Sequence, residues 1–166
     1  MNERHGPLTH YQTAAAGYRE RYGWATFAVD TIVWATPGYG IEALNVPREL
    51  GRRALTILHN GGTPVPVIEI PGPSARWVFL TRPWPAPPEP TPRRFAGHDI
   101  GYAHAASTTS WSLDLPPTQH PGHDPLTWIA TPDITPPPPT LVVDAIARAL
   151  GDQPAATGSA AGSSDS

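Results

Sequence analysis

Apolar residues recur at helical spacing, every three or four positions, in three segments of the chain. Each segment ends at or just before a glycine, which is typical of a helix C-terminus. The second segment also has a start signal, because Asn45 suits an N-cap position and Pro47 is tolerated in a first turn. The pattern therefore predicts three helices, over about residues 8–22, 47–60 and 140–150.

Short runs of β-branched and aromatic residues lie between these helices, most of them separated by Gly, Pro or Asp. The resulting order is helix, three strands, helix, two strands, a proline-rich loop, two strands and a helix. This order favours an α+β sandwich over regular βαβ winding. The predicted strands cover residues 24–29, 31–35, 41–46, 65–70, 76–81, 110–115 and 126–130.

Two stretches of biased composition fall outside these elements. Residues 83–92 hold six prolines in ten positions, which excludes a helix or a central strand and predicts an extended loop over 83–95. Residues 151–166 are too polar to offset the entropy of ordering and predict a disordered tail. The 166 residues therefore correspond to one domain, 1–150, followed by this tail.

The composition excludes several kinds of site. The chain has no cysteine, and its eleven basic residues are all arginine. A disulfide scaffold, a cysteine-ligated metal, a thiol nucleophile and a lysine Schiff base are thereby excluded. A net charge of −3 provides no overall field that would attract nucleic acid. With no signal peptide and no membrane-spanning run in the sequence, we expect a cytoplasmic protein without a membrane partner.

The densest group of polar residues is the loop 116–125. Within it, His120, His123 and Asp124 could offer nitrogen and oxygen atoms to a divalent metal. The competing interpretation is that histidines next to Pro and Gly simply face water. The prolines favour this second interpretation, because they prevent a helix that would align both histidines on one face.

Arginine and tryptophan residues supply the candidates for nucleic-acid binding. Arg93 and Arg94 are neighbours in a loop, where each could bind a phosphate with two hydrogen bonds, and Arg76 is a further candidate. Trp84 lies in the proline-rich loop and is the candidate for stacking on a base, whereas the tryptophans in strands are expected to pack in the interior. The same loop could instead dock into an aromatic groove of a partner, or act as a passive connector.

Four blocks of sequence, taken in order, resemble the N-terminal domain of bifunctional DNA primase/polymerases, within the archaeo-eukaryotic primase group. They are residues 40–47 followed by a helix, residues 75–80, residues 97–100, and Pro-Pro-Thr-Gln-His-Pro-Gly followed by Trp128-Ile129. The last block is the most specific, since it is similar to the family's PPS-x-HPSG…W-I. The resemblance covers about residues 10–150 and implies a primase-polymerase-like sandwich of mixed or antiparallel sheet with about three helices.

The same resemblance implies that the catalytic residues are missing. In the family, a pair of acids and a third acid hold two divalent cations, while a histidine contacts the triphosphate. The corresponding positions here are Asn45 and Pro47 for the pair, Trp77 for the histidine, and Asp99 or less naturally Asp114 for the third acid. The chain therefore resembles a degenerate member that needs no cofactor, with Pro47 and Trp77 expected to fill the former cleft.

Three hypotheses about function follow. The favoured one is a catalytically inactive primase-polymerase-like domain, from a mobile element or a bacterial chromosome, that binds single-stranded or duplex DNA or a replication protein. The second is an active nucleotidyltransferase, dependent on magnesium or manganese, whose acids are Asp99, Glu42 and Asp114. The third is a protein-interaction module that works through its proline-rich loop.

Overall fold

The computed structural model describes residues 9–84, 95, 97–103 and 112–151. This part of the chain forms three helices and two antiparallel sheets, which confirms the α+β class. The predicted tail and most of the proline-rich loop lie outside the described residues. The elements are α1 (His10–Tyr22), β1 (Thr26–Val29), β2 (Ile32–Ala35), β3 (Glu42–Pro47), α2 (Arg48–Asn60), β4 (Val67–Ile70), β5 (Arg76–Thr81), β6 (Gly101–Ala103), β7 (Leu113–Leu115), β8 (Thr127–Ala130) and α3 (Pro139–Gly151).

The sheets have the strand orders β6-β3-β5-β4-β8 and β1-β2-β7. Helices α2 and α3 pack against each other and cover one face of the larger sheet, enclosing a core that we call the helix-side core. The smaller sheet and α1 cover the opposite face and enclose the inter-sheet core. The larger sheet is therefore the middle layer, and its central strands β3 and β5 have a packed neighbour on both faces.

Local sequence explains where the first helix begins and ends. Thr9 and Gln12 form a capping box, in which each side chain accepts a hydrogen bond from the other residue's backbone N–H. Gly23 closes the helix in the left-handed conformation, at a φ of 70°, which glycine adopts without a steric cost. Within the described ranges, no helix has the length and apolar content that crossing a membrane requires.

Two details differ from the sequence-based expectation. Asn45 does not cap α2: β3 continues through it to Pro47, and Pro47 itself takes the N-cap position without a side-chain hydrogen bond. Strand β6 was not predicted, because it has only three residues, of which the first is a glycine and only one is aromatic. It pairs with β3, through which it becomes the edge of the larger sheet.

Candidate functional site

The alternation of side chains along β3 and β5 sorts the candidate residues onto two faces of the larger sheet. Antiparallel pairing puts Val46 opposite Trp77 and Asn45 opposite Val78, so that each pair shares a face. Val46 and Trp77 belong to the helix-side core, whereas Val78 belongs to the inter-sheet core. Asn45 and Arg76 therefore lie on the face toward the smaller sheet.

Asn45, Arg76 and Asp99 form a hydrogen-bonded group that we call the Arg76 cluster. Arg76 Nε donates to Asn45 Oδ1 at 2.6 Å, and Nη2 donates to the backbone oxygens of Asn45 at 3.2 Å and Asp99 at 2.9 Å. Arg76 Nη1 also forms an ion pair with the Asp99 carboxylate. The guanidinium thus connects β3, where Asn45 lies, to the segment that enters β6.

The cluster is buried on one side and open on the other. Asn45 is 7% exposed, and the Arg76 side chain is 21% exposed, while the Asp99 side chain is 78% exposed. Arginine suits this place, because its charge is permanent and its planar group can satisfy several fixed acceptors at once. One cation and one carboxylate leave the group without net charge.

The space next to the cluster lies between the two sheets. A cavity of about 190 Å³ is bounded by Asn45 and Val78 on the larger sheet, by Asp114 on the smaller sheet and by Ser112 just before β7. Asp114 Oδ2 and His120 Nε2 are hydrogen-bonded at 2.8 Å. The Asp114–His120 pair therefore stands beside the cavity on the side of the smaller sheet.

The loop that the sequence singled out as a metal site lies at a second cavity. His120, His123 and Asp124 all line this space of about 410 Å³. His120 nevertheless has Asp114 as its carboxylate partner. Within the part of the chain that the structure describes, no three His, Asp or Glu side chains lie close enough together to hold a metal.

Mg²⁺ or Mn²⁺ does not fit the Arg76 cluster. A hard cation takes mainly carboxylate, carbonyl and water oxygens. Within the Arg76 cluster, the one carboxylate is that of Asp99, and Arg76 already binds it. A guanidinium that donates to both Asn45 and Asp99 would repel a second cation at the same oxygens.

Trp77 lies on the opposite face of the larger sheet from Asn45 and Arg76. Its ring packs against α2, where Gly51 has no side chain: a Cβ on Gly51 would lie 2.9 Å from Trp77 Cβ. Trp77 is 7% exposed and belongs to the helix-side core. The indole therefore packs under α2 and does not lie beside Asn45.

Trp84 is less accessible than the sequence suggested. It is half-buried against the helix-side core, and its ring meets that of Tyr102 edge to face, with 5.9 Å between the ring centroids. Its backbone N–H donates to Glu42 Oε2 at 3.0 Å. Arg93 and Arg94, the other loop candidates, lie outside the described residues.

Glu42 is a buried acid whose aromatic partner was not predicted from the sequence. It is 3% exposed, and its Oε2 also accepts a hydrogen bond from the Tyr102 hydroxyl. Burial raises the pKa of Tyr102, and the neighbouring Glu42 raises it further. The even spacing of Glu42, Leu44 and Val46 puts Glu42 on the helix-side face, away from Asn45.

Sequence reasoning named the members of the Arg76 cluster separately and did not bring Arg76 between the other two. The signal available was strand alternation, which puts Asn45 and Arg76 on one face once the register of β3 and β5 is known. No protein-family model, curated protein or solved structure matches this chain.

Proposed function

We propose that this chain is a catalytically inactive primase-polymerase-like domain that acts as a DNA-binding protein in replication. The observation that carries the proposal is the Arg76 cluster. Asn45 and Asp99 stand at the first and third acid positions of the resemblance, they lie far apart in the sequence, and the fold brings both onto one guanidinium. The closeness of Asn45 and Asp99 supports the resemblance. The Arg76 guanidinium between them supports the loss of catalysis.

The physical reason is that Arg76 supplies the charge that a divalent ion would otherwise supply. A metal-dependent transferase needs two ions to orient the attacking hydroxyl and the triphosphate. Here the Asp99 carboxylate is neutralised and Asn45 offers a neutral amide oxygen. The cluster therefore links β3 and β5 but leaves no group of negative charges that could bind two divalent ions.

The hypothesis of displaced acids has less support. Glu42 faces the helix-side core, Asp99 pairs with Arg76, and Asp114 pairs with His120. These three acids lie in three different surroundings, whereas two-metal catalysis needs ions about 4 Å apart with shared ligands.

DNA binding has its own support in Arg82, whose side chain has no partner in the part of the chain that the structure describes. Arg82 is exposed, and no described side chain forms an ion pair or hydrogen bond with its guanidinium. Together with Arg21 and Tyr22 it lines an open pocket of about 590 Å³. Arg21 is neutralised by Asp133 at 3.0 Å, so that Arg82 provides the net positive charge of this pocket for a phosphate.

The first experiment tests catalysis. A primed template is incubated with the full chain, labelled deoxynucleotides, and Mg²⁺ or Mn²⁺. We expect no extended product, and the same result for Asp99→Ala. A product that disappears with Asp99→Ala would overturn the inactive assignment in favour of a metal-dependent enzyme.

The second experiment tests DNA binding. Affinity for single-stranded and duplex DNA is measured while salt is raised, since contacts to phosphate weaken steeply with salt. Arg82→Ala is expected to weaken binding and to reduce the salt slope by about 0.7 to 0.9 for a single phosphate contact. Arg52→Ala on α2 removes the same charge at an exposed position and serves as the control. Absence of binding to either DNA at low salt would overturn the DNA-binding role.

A further inference from the structure

The outer face of the smaller sheet carries an exposed apolar surface that the proposed function does not use. Pairing of β1 with β2 puts Phe27 opposite Trp34 and Val29 opposite Ile32, so that all four side chains share one face. Phe27 and Trp34 stack with 4.7 Å between their ring centroids. Phe27 is 47% exposed and Val29 is 62% exposed, which is unusual for large apolar side chains grouped on a strand pair.

A groove of about 550 Å³ runs along this surface. We call it the hairpin groove; its walls include Val29, Asp30, Ile32, Trp34 and Pro37. Among the described residues, no basic side chain lines it, and Asp30 is exposed and has no ion-pair partner. The groove therefore combines an aromatic wall with one free negative charge.

These features match a proline-rich ligand that ends in basic residues. Polyproline II segments dock into grooves lined by aromatic rings, because the segment is already extended and loses little entropy on binding. A flanking arginine can then reach an acid at the end of the groove. The chain itself contains such a sequence, Pro-Ala-Pro-Pro-Glu-Pro-Thr-Pro-Arg-Arg, at residues 85–94.

The anchors of this segment favour binding between copies rather than within one copy. Trp84 and Phe95, which flank it, both pack in the helix-side core. The ten residues between them must leave and return to the same core, which limits how far they reach from it, since an extended chain spans roughly 3.4 Å per residue. The hairpin groove lies on the far side of both sheets, which pack about 10 Å apart, and the route to it runs around the edge of the larger sheet.

We propose that the hairpin groove binds residues 85–94 of a second copy of this chain, with Trp34 and its apolar neighbours contacting the prolines and Asp30 binding Arg93 or Arg94. The occupant and the groove are different surfaces of the same protein. The contact is therefore of the head-to-tail type, which continues from copy to copy unless a ring closes.

A peptide experiment tests the groove. A fluorescently labelled peptide of residues 85–94 is titrated with the full chain, and anisotropy reports binding. We expect saturable binding that Val29→Ser weakens by about tenfold, as for a residue central to an interface. Leu141→Ser on α3, where Leu141 is 43% exposed, is the matched control and should leave affinity unchanged. Equal loss in both variants, or no binding of the peptide, would overturn the proposal.

The charge contact is tested by a double-mutant cycle. A peptide with both arginines replaced by alanine should bind the unaltered chain more weakly than the original peptide does. The Asp30→Asn variant should bind the two peptides with equal affinity. Asparagine is chosen because it tolerates the positive φ of 52° at this turn position. Additive effects of the two changes would show that Asp30 and the arginines do not meet, and would overturn that part of the assignment.

Sedimentation of the full chain over a range of concentrations tests the commitment to a second copy. Association should appear as concentration rises and should be lost when the prolines of residues 85–92 are replaced by serine, and also with Val29→Ser. Association that survives the proline replacement but not Val29→Ser would mean that two grooves pack face to face. A monomer at all concentrations would mean that no second copy binds. Either result overturns the proposal, and neither bears on catalysis or on DNA binding through Arg82.

Discussion

The two faces of the larger sheet are packed differently, one by apolar side chains and the other by a hydrogen-bonded polar group as well. On the helix side, Val46, Trp77 and Phe79 pack under α2 and α3. The close approach of α2 to β5 there depends on Gly51, which leaves space for the Trp77 indole. On the other face, the same two strands present Asn45 and Arg76, whose polar groups are satisfied by one another and by Asp99. Neighbouring residues in sequence, Arg76 and Trp77, thus belong to different kinds of interior.

This difference separates structural from functional replacement. The resemblance led to the expectation that Trp77 fills a former cleft, but Trp77 belongs to the helix-side core, on the face of the larger sheet away from Asn45. The residue beside Asn45 is its neighbour Arg76, whose guanidinium binds both Asn45 and Asp99. Loss of catalysis, in the function that we propose, therefore depends on an ion pair and not on apolar filling.

The largest expected effect on stability is that of Trp77→Ala. Removal of a nearly buried indole leaves a cavity under α2, and such substitutions lower the free energy of unfolding by about 3 to 5 kcal/mol. Urea denaturation at neutral pH measures the loss. Leu141→Ala, at an exposed position of α3, is the control and should change stability by less than about 1 kcal/mol. A small effect of Trp77→Ala would contradict the assignment of this ring to the helix-side core.

A smaller effect is expected on the opposite face from Arg76→Met, which keeps an apolar stem but removes the guanidinium. Asn45 is then left 7% exposed without its side-chain partner, and an unsatisfied buried polar group costs about 1 to 3 kcal/mol. Asp99→Asn should cost less than about 1 kcal/mol, because the Asp99 side chain is 78% exposed and its backbone oxygen still accepts from Arg76.

Comparison of these two variants shows what holds the cluster together. If the cost came from the ion pair alone, Arg76→Met and Asp99→Asn would destabilise the protein equally and both effects would shrink in high salt. The geometry instead predicts a larger and nearly salt-independent effect for Arg76→Met, since three of its four bonds go to neutral amide or backbone oxygens.

The contrast between the two faces also shows which parts of the fold could be predicted from the sequence. All three helices and the seven expected strands are present, because periodicity, turn residues and terminal glycines act locally. Strand β6 escaped prediction, since Gly101–Ala103 is too short to show alternation and exists through its pairing with β3. The same limit applies to the N-cap: Asn45 has the right chemistry for a cap, but sheet pairing extends β3 past it.

The candidate site depended even more on pairing between distant segments. Asn45, Asp99 and Asp114 could be named from the sequence, but which of them share a cation depends on register, and one step along β5 separates Arg76 from Trp77. The exposure of a side chain was equally difficult to predict from the sequence. Trp84 lies at the start of a proline-rich segment, and its ring still packs against Tyr102. Side-chain type predicted the chemistry available, and tertiary pairing decided where each group acts.

An effect smaller than that of Trp77→Ala is also expected from hydrogen bonding on the face of the larger sheet toward α1. The Tyr18 hydroxyl donates to the Pro116 carbonyl at 2.7 Å and accepts from Trp128 Nε1 at 3.1 Å, joining α1 to the segments around the smaller sheet and β8. Tyr18→Phe removes both bonds and keeps the ring. We expect a loss of about 1 kcal/mol at neutral pH, measured by urea denaturation.

The pH dependence of the same variant distinguishes a buried hydroxyl from an exposed one. Burial raises the pKa of Tyr18 to about 12, against a smaller opposing effect of the Trp128 hydrogen bond. A raised pKa means that the folded state keeps the proton more tightly than the unfolded state, whose tyrosine titrates near 10. The contribution of Tyr18 to stability is therefore fully present below pH 10 and is lost as pH rises from 10 toward 12.

The unaltered chain should lose stability between pH 10 and pH 12 more steeply than Tyr18→Phe does. The control variant Tyr39→Phe, at a position 66% exposed, should keep the steep profile. Identical alkaline profiles for the unaltered chain and Tyr18→Phe would contradict the burial of this hydroxyl and the tight contact between α1 and the inter-sheet core.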